Sequence, residues 1–162
     1  MDSSADYVIF EEELMPLIRE RLAAGYAVRY LPFRGVSMLP MLRQGKDSVE
    51  LSPLPATLKK YDLPVYLRPN GQYVMHRVVK VKGDVCICLG DNTEVFETVR
   101  RDRMIGVVSA FRRGEKRIEV TSLGYGLYCR LWRPTRLLRK GYKWAKHTAK
   151  RVVRKIFGER VE

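Results

Sequence analysis

The sequence has few cysteines, few histidines and no long apolar run. Its three cysteines leave one unpaired in any disulfide scheme, and Cys86 and Cys88 lie too close along one strand to bridge comfortably. A reducing compartment is therefore the simpler interpretation. These two thiols and His76 lack a second Cys/His pair at ligand spacing, so core or strand thiols are a better interpretation than a zinc site. We expect no metal and no cofactor.

Segments that would carry the chain into or across a membrane are also missing. No stretch approaches the roughly 20 uninterrupted apolar residues that a spanning helix needs. The first residues are acidic, whereas a secretory signal begins with basic residues, and no long apolar run follows them. We therefore expect a protein that starts at its own N-terminus and stays in the cytoplasm.

The charge of the chain is strongly positive but unevenly distributed. Over 162 residues the formal net charge is +13, which should attract nucleic acid, a phospholipid surface or an acidic polypeptide. Residues 1–20 hold six carboxylates against one arginine, whereas residues 130–160 hold twelve Lys and Arg against one glutamate. Nearly all of the excess positive charge is therefore in the C-terminal tail.

Apolar spacing predicts one compact domain that is mainly β, followed by a helical tail. Residues 11–24 carry apolar side chains at helical spacing, and Gly25 is predicted to cap that helix. Between residues 46 and 121, strand-like runs alternate with turn sequences, which indicates a small, bent antiparallel sheet or partial barrel. The predicted fold class is α+β, mainly β, with a domain over residues 1–125 and a basic tail over residues 126–162.

Seven short runs are predicted as strands. They cover residues 27–33, 48–51, 63–67, 73–81, 85–89, 104–111 and 117–120. In the run over 73–81, side-chain alternation places His76 on one face with Val74 and Val78. Burial among apolar side chains lowers the pKa of an imidazole, which would leave His76 neutral and able to accept a proton. The alternative is a core histidine that is hydrogen-bonded to the backbone.

A turn between a glycine and a proline carries a candidate nucleophile. Gly35 lets the backbone approach a substrate closely, Pro40 stiffens the exit, and the turn exposes the hydroxyl and the amide of Ser37 together. A serine acts as a nucleophile when a base accepts its proton and when backbone donors hold the oxyanion that forms. The alternative for Ser37 is a turn residue without chemistry.

Several short segments follow one another in a fixed order across about half of the chain. They are Gly-Val-Ser-Met-Leu-Pro at residues 35–40, Leu-Lys-Lys-Tyr-Asp-Leu-Pro-Val-Tyr at 58–66, His-Arg-Val-Val at 76–79, Gly-Asp-Asn at 90–92 and Ile-Gly-Val-Val at 105–108. Their residue types and their order resemble the sequence motifs, or boxes, of the superfamily that contains type I signal peptidases and LexA-like repressors. The histidine in the third segment is similar to the histidine-type signal peptidases, whereas other branches have a lysine there.

The resemblance implies a signal-peptidase-like or LexA-like fold and a serine peptidase site. It assigns Ser37 as the nucleophile and His76 as the general base. Gly35 and the amide of Ser37 would support the oxyanion, and Met38 and Pro40 would line the substrate groove. The kinds of substrate that such families usually cleave, combined with the missing membrane anchor, favour a peptide precursor or leader as the substrate.

An acidic residue that would orient the histidine is also implied by the resemblance. Asp91, in the Gly-Asp-Asn segment, matches a family aspartate and is expected to orient His76 or to buttress the site. Its alternative role is that of an Asx-turn residue, since Asp is common in such turns. The further acids that usually follow this box are represented here by Glu94 and Glu97.

The basic tail is predicted to form an amphipathic helix. Between residues 137 and 157, apolar residues recur three and four positions apart, with Lys and Arg between them. The residues expected at an anionic membrane surface are Trp132, Trp144, Lys146, Lys150, Arg151 and Arg154. This predicts peripheral attachment to the inner face of the cell membrane. Alternatively, the helix packs on the β domain or binds nucleic acid, although no recognised nucleic-acid motif is present.

These expectations together favour a serine endopeptidase with a Ser37/His76 dyad. Two other classes of function stay open at this point. One is a non-catalytic peptide-binding module on the same fold, in which an extended peptide adds as a strand to a sheet edge. The other is a basic nucleic-acid-binding protein that depends on the tail.

Overall fold

The computed structural model describes residues 11–30 and 35–132, together with residues 135, 141, 148 and 151. By its internal contacts the chain divides into two units, Met1–Gly126 and Leu127–Glu162. All residues of the candidate site described below lie in the first unit.

Helix α1 spans Glu11–Ala23, and three of its apolar residues, spaced three and four positions apart, share one buried side. The buried residues on that side are Met15, Ile18 and Leu22. Gly25 has a φ of +89°, and its N–H donates to the carbonyl of Leu22 at 3.0 Å, which ends the helix. The helix and the glycine cap predicted from the sequence are therefore confirmed.

Nine strands occupy much of the remaining described chain, and each pairs with its neighbours in the antiparallel sense. In chain order they are β1 (Val28–Tyr30), β2 (Asp47–Ser52), β3 (Pro64–Leu67), β4 (Tyr73–Met75), β5 (Arg77–Lys82), β6 (Val85–Leu89), β7 (Glu97–Arg100), β8 (Met104–Arg113) and β9 (Lys116–Glu119). Helix α2, over Leu123–Trp132, follows β9.

The strands form two sheets. The larger sheet has the order β1, β2, β8, β3, β4, with β9 also paired to β8, and the smaller sheet has the order β5, β6, β7. Neither sheet closes into a barrel within the described residues. The fold class is therefore α+β and mainly β, as the sequence predicts.

The prediction of one strand over residues 73–81 is wrong. The chain forms β4 in the larger sheet, breaks at His76, and continues as β5 in the smaller sheet. The break arises because the two halves have different partners: Met75 pairs with Val65 on β3, whereas Arg77 pairs with Leu89 on β6. His76 therefore lies where the chain passes from one sheet to the other.

Strand β7 was not predicted from the sequence. It is short, and of its four residues Val99 alone is buried, so it lacks the apolar run that marks the other strands. It exists because it pairs with β6, with Val99 opposite Cys86 and Glu97 opposite Cys88. This pairing places Glu97, the first residue of β7, beside His76.

An apolar cluster joins the two sheets beneath the candidate site. Its buried members are Leu58, Tyr66, Val78, Cys86, Cys88, Val99 and Met104. Tyr66 belongs to the larger sheet, whereas Val78, Cys88 and Val99 belong to the smaller one. Packing of this cluster therefore brings side chains from β3 and β7 to the same place, next to the break at His76.

Candidate catalytic site

The turn that contains Ser37 is shaped by its first residue and by a side chain nine positions later. Gly35 has a φ of +114°, a backbone conformation that favours glycine, and its N–H donates to Oε1 of Gln44 at 3.1 Å. Met38 is buried below the turn, and the Leu39–Pro40 peptide bond is cis. The turn thus anchors one apolar side chain while Ser37 itself is partly exposed.

A second turn, the Gly-Asp-Asn segment after β6, holds the Ser37 turn in place. The backbone N–H of Asn92 donates to the carbonyl of Ser37 at 2.7 Å, and its side-chain amide donates to the carbonyl of Val36 at 3.1 Å. Thr93 closes the same turn by hydrogen bonds with the backbone of Gly90. The Gly-Asp-Asn segment therefore fixes the position of the candidate nucleophile.

His76 is buried, and only one of its two ring nitrogens has hydrogen-bond partners among the described residues. Its side chain is 2% exposed, and Nδ1 lies 3.1 Å from Oε1 of Glu97 and 3.1 Å from the hydroxyl of Tyr66. Nε2 is also buried but has no hydrogen-bond partner among the described residues. A carboxylate at Nδ1 favours the tautomer with the proton on Nδ1, because the carboxylate accepts that proton. Nε2 then carries a free lone pair.

The free nitrogen of His76 faces the Ser37 turn across Gly90. A Cβ atom placed on Gly90 would lie 3.0 Å from Nε2 of His76 and 2.8 Å from the carbonyl oxygen of Ser37. Both atoms therefore border the same small space, which a side chain at position 90 would fill. The segments that the sequence predicts as nucleophile, base and Gly-Asp-Asn turn are brought together here.

The hydrogen bond of the predicted dyad is not formed in this conformation. The Ser37 hydroxyl makes no hydrogen bond with any part of the chain that the structure describes. Catalytic hydrogen bonds are often long in ligand-free sites and shorten when substrate closes the site. The carbonyl oxygen of Ser37 and Nε2 of His76 thus both lie close to Gly90, and neither the Ser37 hydroxyl nor Nε2 has a hydrogen-bond partner among the described residues.

Glu97 is the carboxylate that contacts His76. Besides Nδ1 of His76, it accepts hydrogen bonds from the Tyr66 hydroxyl at 3.0 Å and from Nε of Arg68 at 2.8 Å. Nη2 of Arg68 forms a second, close ion pair with its Oε1. The hydrogen bond from Arg68 is the main reason why the pKa of Glu97 lies below its ordinary value, so the group stays ionised.

Asp91 pairs with an arginine and does not contact the ring of His76. Its carboxylate accepts hydrogen bonds from Nε and Nη2 of Arg77 at 2.8 and 2.7 Å, in a pair whose side chains are 4% and 6% exposed. Arg77 also donates to the hydroxyl of Tyr125 at 2.6 Å. Asp91 acts on His76 through its charge, whereas Glu97 accepts the hydrogen bond from Nδ1. Of the two roles expected for Asp91, the contacts match a buttress of the site, and the acid beside the ring is Glu97.

Burial is the main influence on the ionisation of His76. It lowers the pKa of the imidazole below its ordinary value of 6.5. Glu97 and Asp91 raise this pKa and Arg68 lowers it, but these charges do not reverse the effect of burial. His76 is therefore neutral at pH 7 and available as a base.

A groove opens beside Ser37 along the larger sheet. Its apolar lining residues are Met38, Leu42, Val65, Val74 and Met75. Of the described strands, β1 pairs with β2 alone and β4 pairs with β3 alone, so each is an edge strand, and Tyr30 and Tyr73 bring both edges to the groove. Pro40, expected in the groove, is exposed, and its carbonyl accepts a hydrogen bond from Arg113.

Sequence reasoning missed two contributors to the site. Tyr66 ends the segment at 58–66 but was assigned no role there, and Arg68 follows β3 without any distinguishing pattern. Glu97 was noted only as an acid that follows the Gly-Asp-Asn box. Side-chain alternation in β7 could have identified Glu97 from the sequence, because Glu97 lies on the same face as the buried Val99.

The residues expected at a membrane surface are only partly described. Trp132 is half-buried, with its ring stacked on Tyr128 at a centroid distance of 5.5 Å, and Arg151 is exposed. The expectations for Trp144, Lys146, Lys150 and Arg154 concern residues outside the described ones. Within the described chain, no helix is both long and apolar enough to cross a membrane.

The cysteines do not take part in this site. Cys86 and Cys88 are buried and unbridged, and burial raises the pKa of the Cys88 thiol to about 12. Among the residues with described positions, no three His, Cys, Asp or Glu side chains are grouped so that they could hold a metal ion. Comparison with protein-family models finds no match for the chain, and comparison with curated proteins finds none either.

Proposed function

We propose that this chain is a serine endopeptidase of the signal-peptidase-like superfamily, with Ser37 as nucleophile and His76 as general base. One observation carries the proposal. His76 is buried with Nδ1 held by Glu97 and Tyr66, while its unpaired Nε2 faces the Ser37 turn across Gly90. A buried polar atom without a partner is uncommon and calls for a role, and proton transfer with the nearby hydroxyl supplies one.

The reaction follows from these positions. Ser37 Oγ attacks the carbonyl carbon of a peptide bond, and its proton passes to Nε2 of His76. Glu97 stabilises the imidazolium that forms, and the backbone N–H of Ser37 donates to the oxyanion. His76 then gives the proton to the leaving amine, which breaks the peptide bond. A water molecule, deprotonated by His76, hydrolyses the acyl-enzyme and frees Ser37.

An extended peptide is the substrate that the groove supports best. Strand β4 has an open edge at the groove, so a peptide in β conformation would add to it through backbone hydrogen bonds. Alternate side chains of that peptide would meet the apolar floor formed by Met38 and Val65, and the others would face solvent. A peptide precursor or leader, unfolded around its cleavage site, has this form.

The experiment that tests the proposal is mass spectrometry of peptides after incubation with the protein. The substrates are a library of unstructured peptides and the peptides encoded beside the gene. We expect new termini with the natural chain and a loss of about 10⁴-fold or more with Ser37→Ala, since the attacking oxygen is removed. Ser109→Ala removes a hydroxyl that only hydrogen-bonds to the carbonyl of Glu50, and should cleave normally.

The other outcomes of this experiment assign the chain to another class. Cleavage that survives Ser37→Ala would remove Ser37 from the mechanism. Peptides that are bound but cut by neither protein would make the chain a peptide-binding module on the same groove. Binding of nucleic acid that weakens steeply with salt, is lost on deletion of residues 133–162 and does not depend on Ser37 would favour the third class.

We also propose that the second unit holds the enzyme at an anionic membrane surface. On α2, Leu127 and Leu131 lie four residues apart and are 57% and 56% exposed, and the sequence that follows is rich in Lys and Arg. Exposed leucines can insert at the boundary between headgroups and acyl chains, while the nearby cations bind anionic headgroups. In vesicle sedimentation, a double Leu127→Glu, Leu131→Glu variant should lose binding to vesicles with phosphatidylglycerol. Unchanged sedimentation of this variant would contradict the proposal.

A further inference from the structure

Arg68 contacts the candidate site through Glu97. It directly follows β3, and its Nε donates to Oε2 of Glu97 at 2.8 Å, while its Nη2 pairs with Oε1. Glu97 Oε1 is the same oxygen that lies 3.1 Å from Nδ1 of His76. One carboxylate thus lies between a permanent cation and an imidazole.

We propose that Arg68 is a positioning residue, a fixed cation that shares the Glu97 carboxylate with His76 and so adds to the effect of burial in favouring the neutral, proton-accepting form of His76. The inference rests on the proposed function, because a neutral His76 matters for catalysis only if it accepts the proton of Ser37. It goes beyond that function by assigning a role to a residue outside the sequence motifs.

Arg68 contacts Glu97 through two nitrogens at once, an arrangement that the single ammonium group of a lysine would not reproduce. Two guanidinium nitrogens reach both carboxylate oxygens, which fixes the plane of the carboxylate as well as its position. The Tyr66 hydroxyl supplies a further contact, 3.0 Å from Oε2. Burial raises the pKa of Tyr66, so its hydroxyl is neutral and donates. Glu97 therefore keeps its contacts with Tyr66 and with His76 when Arg68 is replaced.

Charges from several elements act on His76, and Arg68 is the one cation among those that shift its pKa in the described residues. Glu97 on β7 and Asp91 after β6 both stabilise the imidazolium, and the neutral hydroxyl of Tyr66 on β3 faces the same ring. Two carboxylates near a histidine would by themselves favour the protonated ring, which cannot act as a base. Arg68, partly exposed and outside the apolar cluster, offsets one of them.

The test is a titration of the His76 ring by NMR in the full chain. A His147→Gln background leaves one histidine, so the ring signal is unambiguous. We expect Arg68→Gln to raise the pKa of His76, because the cation that opposes the imidazolium is gone, and Glu97→Gln to lower it. Arg68→Lys keeps the charge and should titrate close to the natural residue. Arg103→Gln removes the same charge from an exposed site and should change nothing.

Peptide cleavage gives the second measurement. With Arg68→Gln, the acid limb of the pH–rate profile should move to higher pH, so that the loss of rate is larger at pH 6 than at pH 8. A merely structural role would lower the rate evenly across pH. An unchanged or lowered pKa of His76 in Arg68→Gln would overturn the inference.

The titration separates this inference from the proposed function. If no variant and not even the natural chain cleaves peptides, the peptidase assignment fails, yet the NMR shifts still report whether Arg68 controls the charge of His76. If the natural chain cleaves and the titration is insensitive to Arg68, the peptidase stands and the role of Arg68 is wrong.

Discussion

Two arginine–carboxylate pairs flank His76, and they differ in exposure and in what they touch. The Arg77–Asp91 pair is sealed, with side chains 6% and 4% exposed, and it ties the Gly-Asp-Asn turn to β5. The Arg68–Glu97 pair is more open, with side chains 32% and 18% exposed, and its carboxylate contacts the ring of His76. Asp91, the aspartate of the Gly-Asp-Asn segment, belongs to the sealed pair, and Glu97, which contacts His76, belongs to the open one.

The difference teaches how one fold divides two tasks between similar groups. A buried ion pair is strongly destabilised when one partner is removed, because the other charge is left unpaired in a low dielectric. Such a pair suits a scaffold, here the one that carries Asn92 and Gly90 to the Ser37 turn. In the partly exposed Arg68–Glu97 pair, the carboxylate can also accept a hydrogen bond from the ring of His76, whose charge changes with pH. We therefore expect the two pairs to fail in different ways.

The largest effect is expected from breaking the contact between the open pair and His76. Glu97→Gln should reduce peptide cleavage by about 10²–10⁴-fold, because the amide no longer stabilises the imidazolium. Steady-state rates on a peptide identified by mass spectrometry measure this. Glu94→Gln makes the same chemical change at an exposed position and should retain full activity. Equal losses in both variants would contradict the assignment of Glu97.

The sealed pair should show its effect in stability. Asp91→Asn leaves Arg77 buried without its anionic partner, and we expect a loss of about 3–5 kcal/mol in the free energy of unfolding. Urea denaturation followed by tryptophan fluorescence measures it. Asp102→Asn breaks the exposed Arg100–Asp102 pair, whose side chains are 74% and 61% exposed, and should change stability by less than about 1 kcal/mol. Similar losses in the two variants would show that the Arg77–Asp91 pair is not a scaffold.

A substitution at Gly90 tests whether the Gly-Asp-Asn turn must lie close to both Ser37 and His76. A Cβ here would meet the Ser37 carbonyl oxygen at 2.8 Å and His76 Nε2 at 3.0 Å, so Gly90→Ala should destabilise by about 1–3 kcal/mol and sharply reduce cleavage. Gly124→Ala is the matched control, since nothing lies within 4 Å of its Cβ position. A Gly90→Ala variant with normal activity would mean that Nε2 and Ser37 do not face each other.

The smallest effect is the dependence of stability on pH. The folded-state pKa of His76 lies below its ordinary value of 6.5, so the unfolded chain binds more protons between these two values. Stability should therefore fall as the pH drops through 6.5 towards the folded pKa. The natural chain and His76→Gln, compared by thermal unfolding across this range, should converge as the pH falls. Parallel curves would show that His76 is not neutral in the folded state.

Much of the site could be predicted from local sequence. Gly35 and Ser37 stand out because a glycine and a proline bracket an exposed turn, and His76 because histidines are scarce in this chain. The identity of the orienting acid could not be predicted in this way. Tyr66 and Glu97 are 31 positions apart, and their contact depends on strand pairing that no local pattern specifies. The motif therefore favoured Asp91, which is adjacent to Gly90 in sequence.

The sequence by itself determined the local structure: the helix before Gly25, the turn at Gly35, the strand-rich region and the concentration of positive charge in the tail. Each of these depends on residues within a few positions, through backbone sterics and the period of apolar side chains. Only the tertiary structure decided that the chain breaks at His76 and which carboxylate meets its ring. The physical reason is that β4 and β5 pair with strands of different sheets, and burial then selects the contacts of every polar group at the crossing.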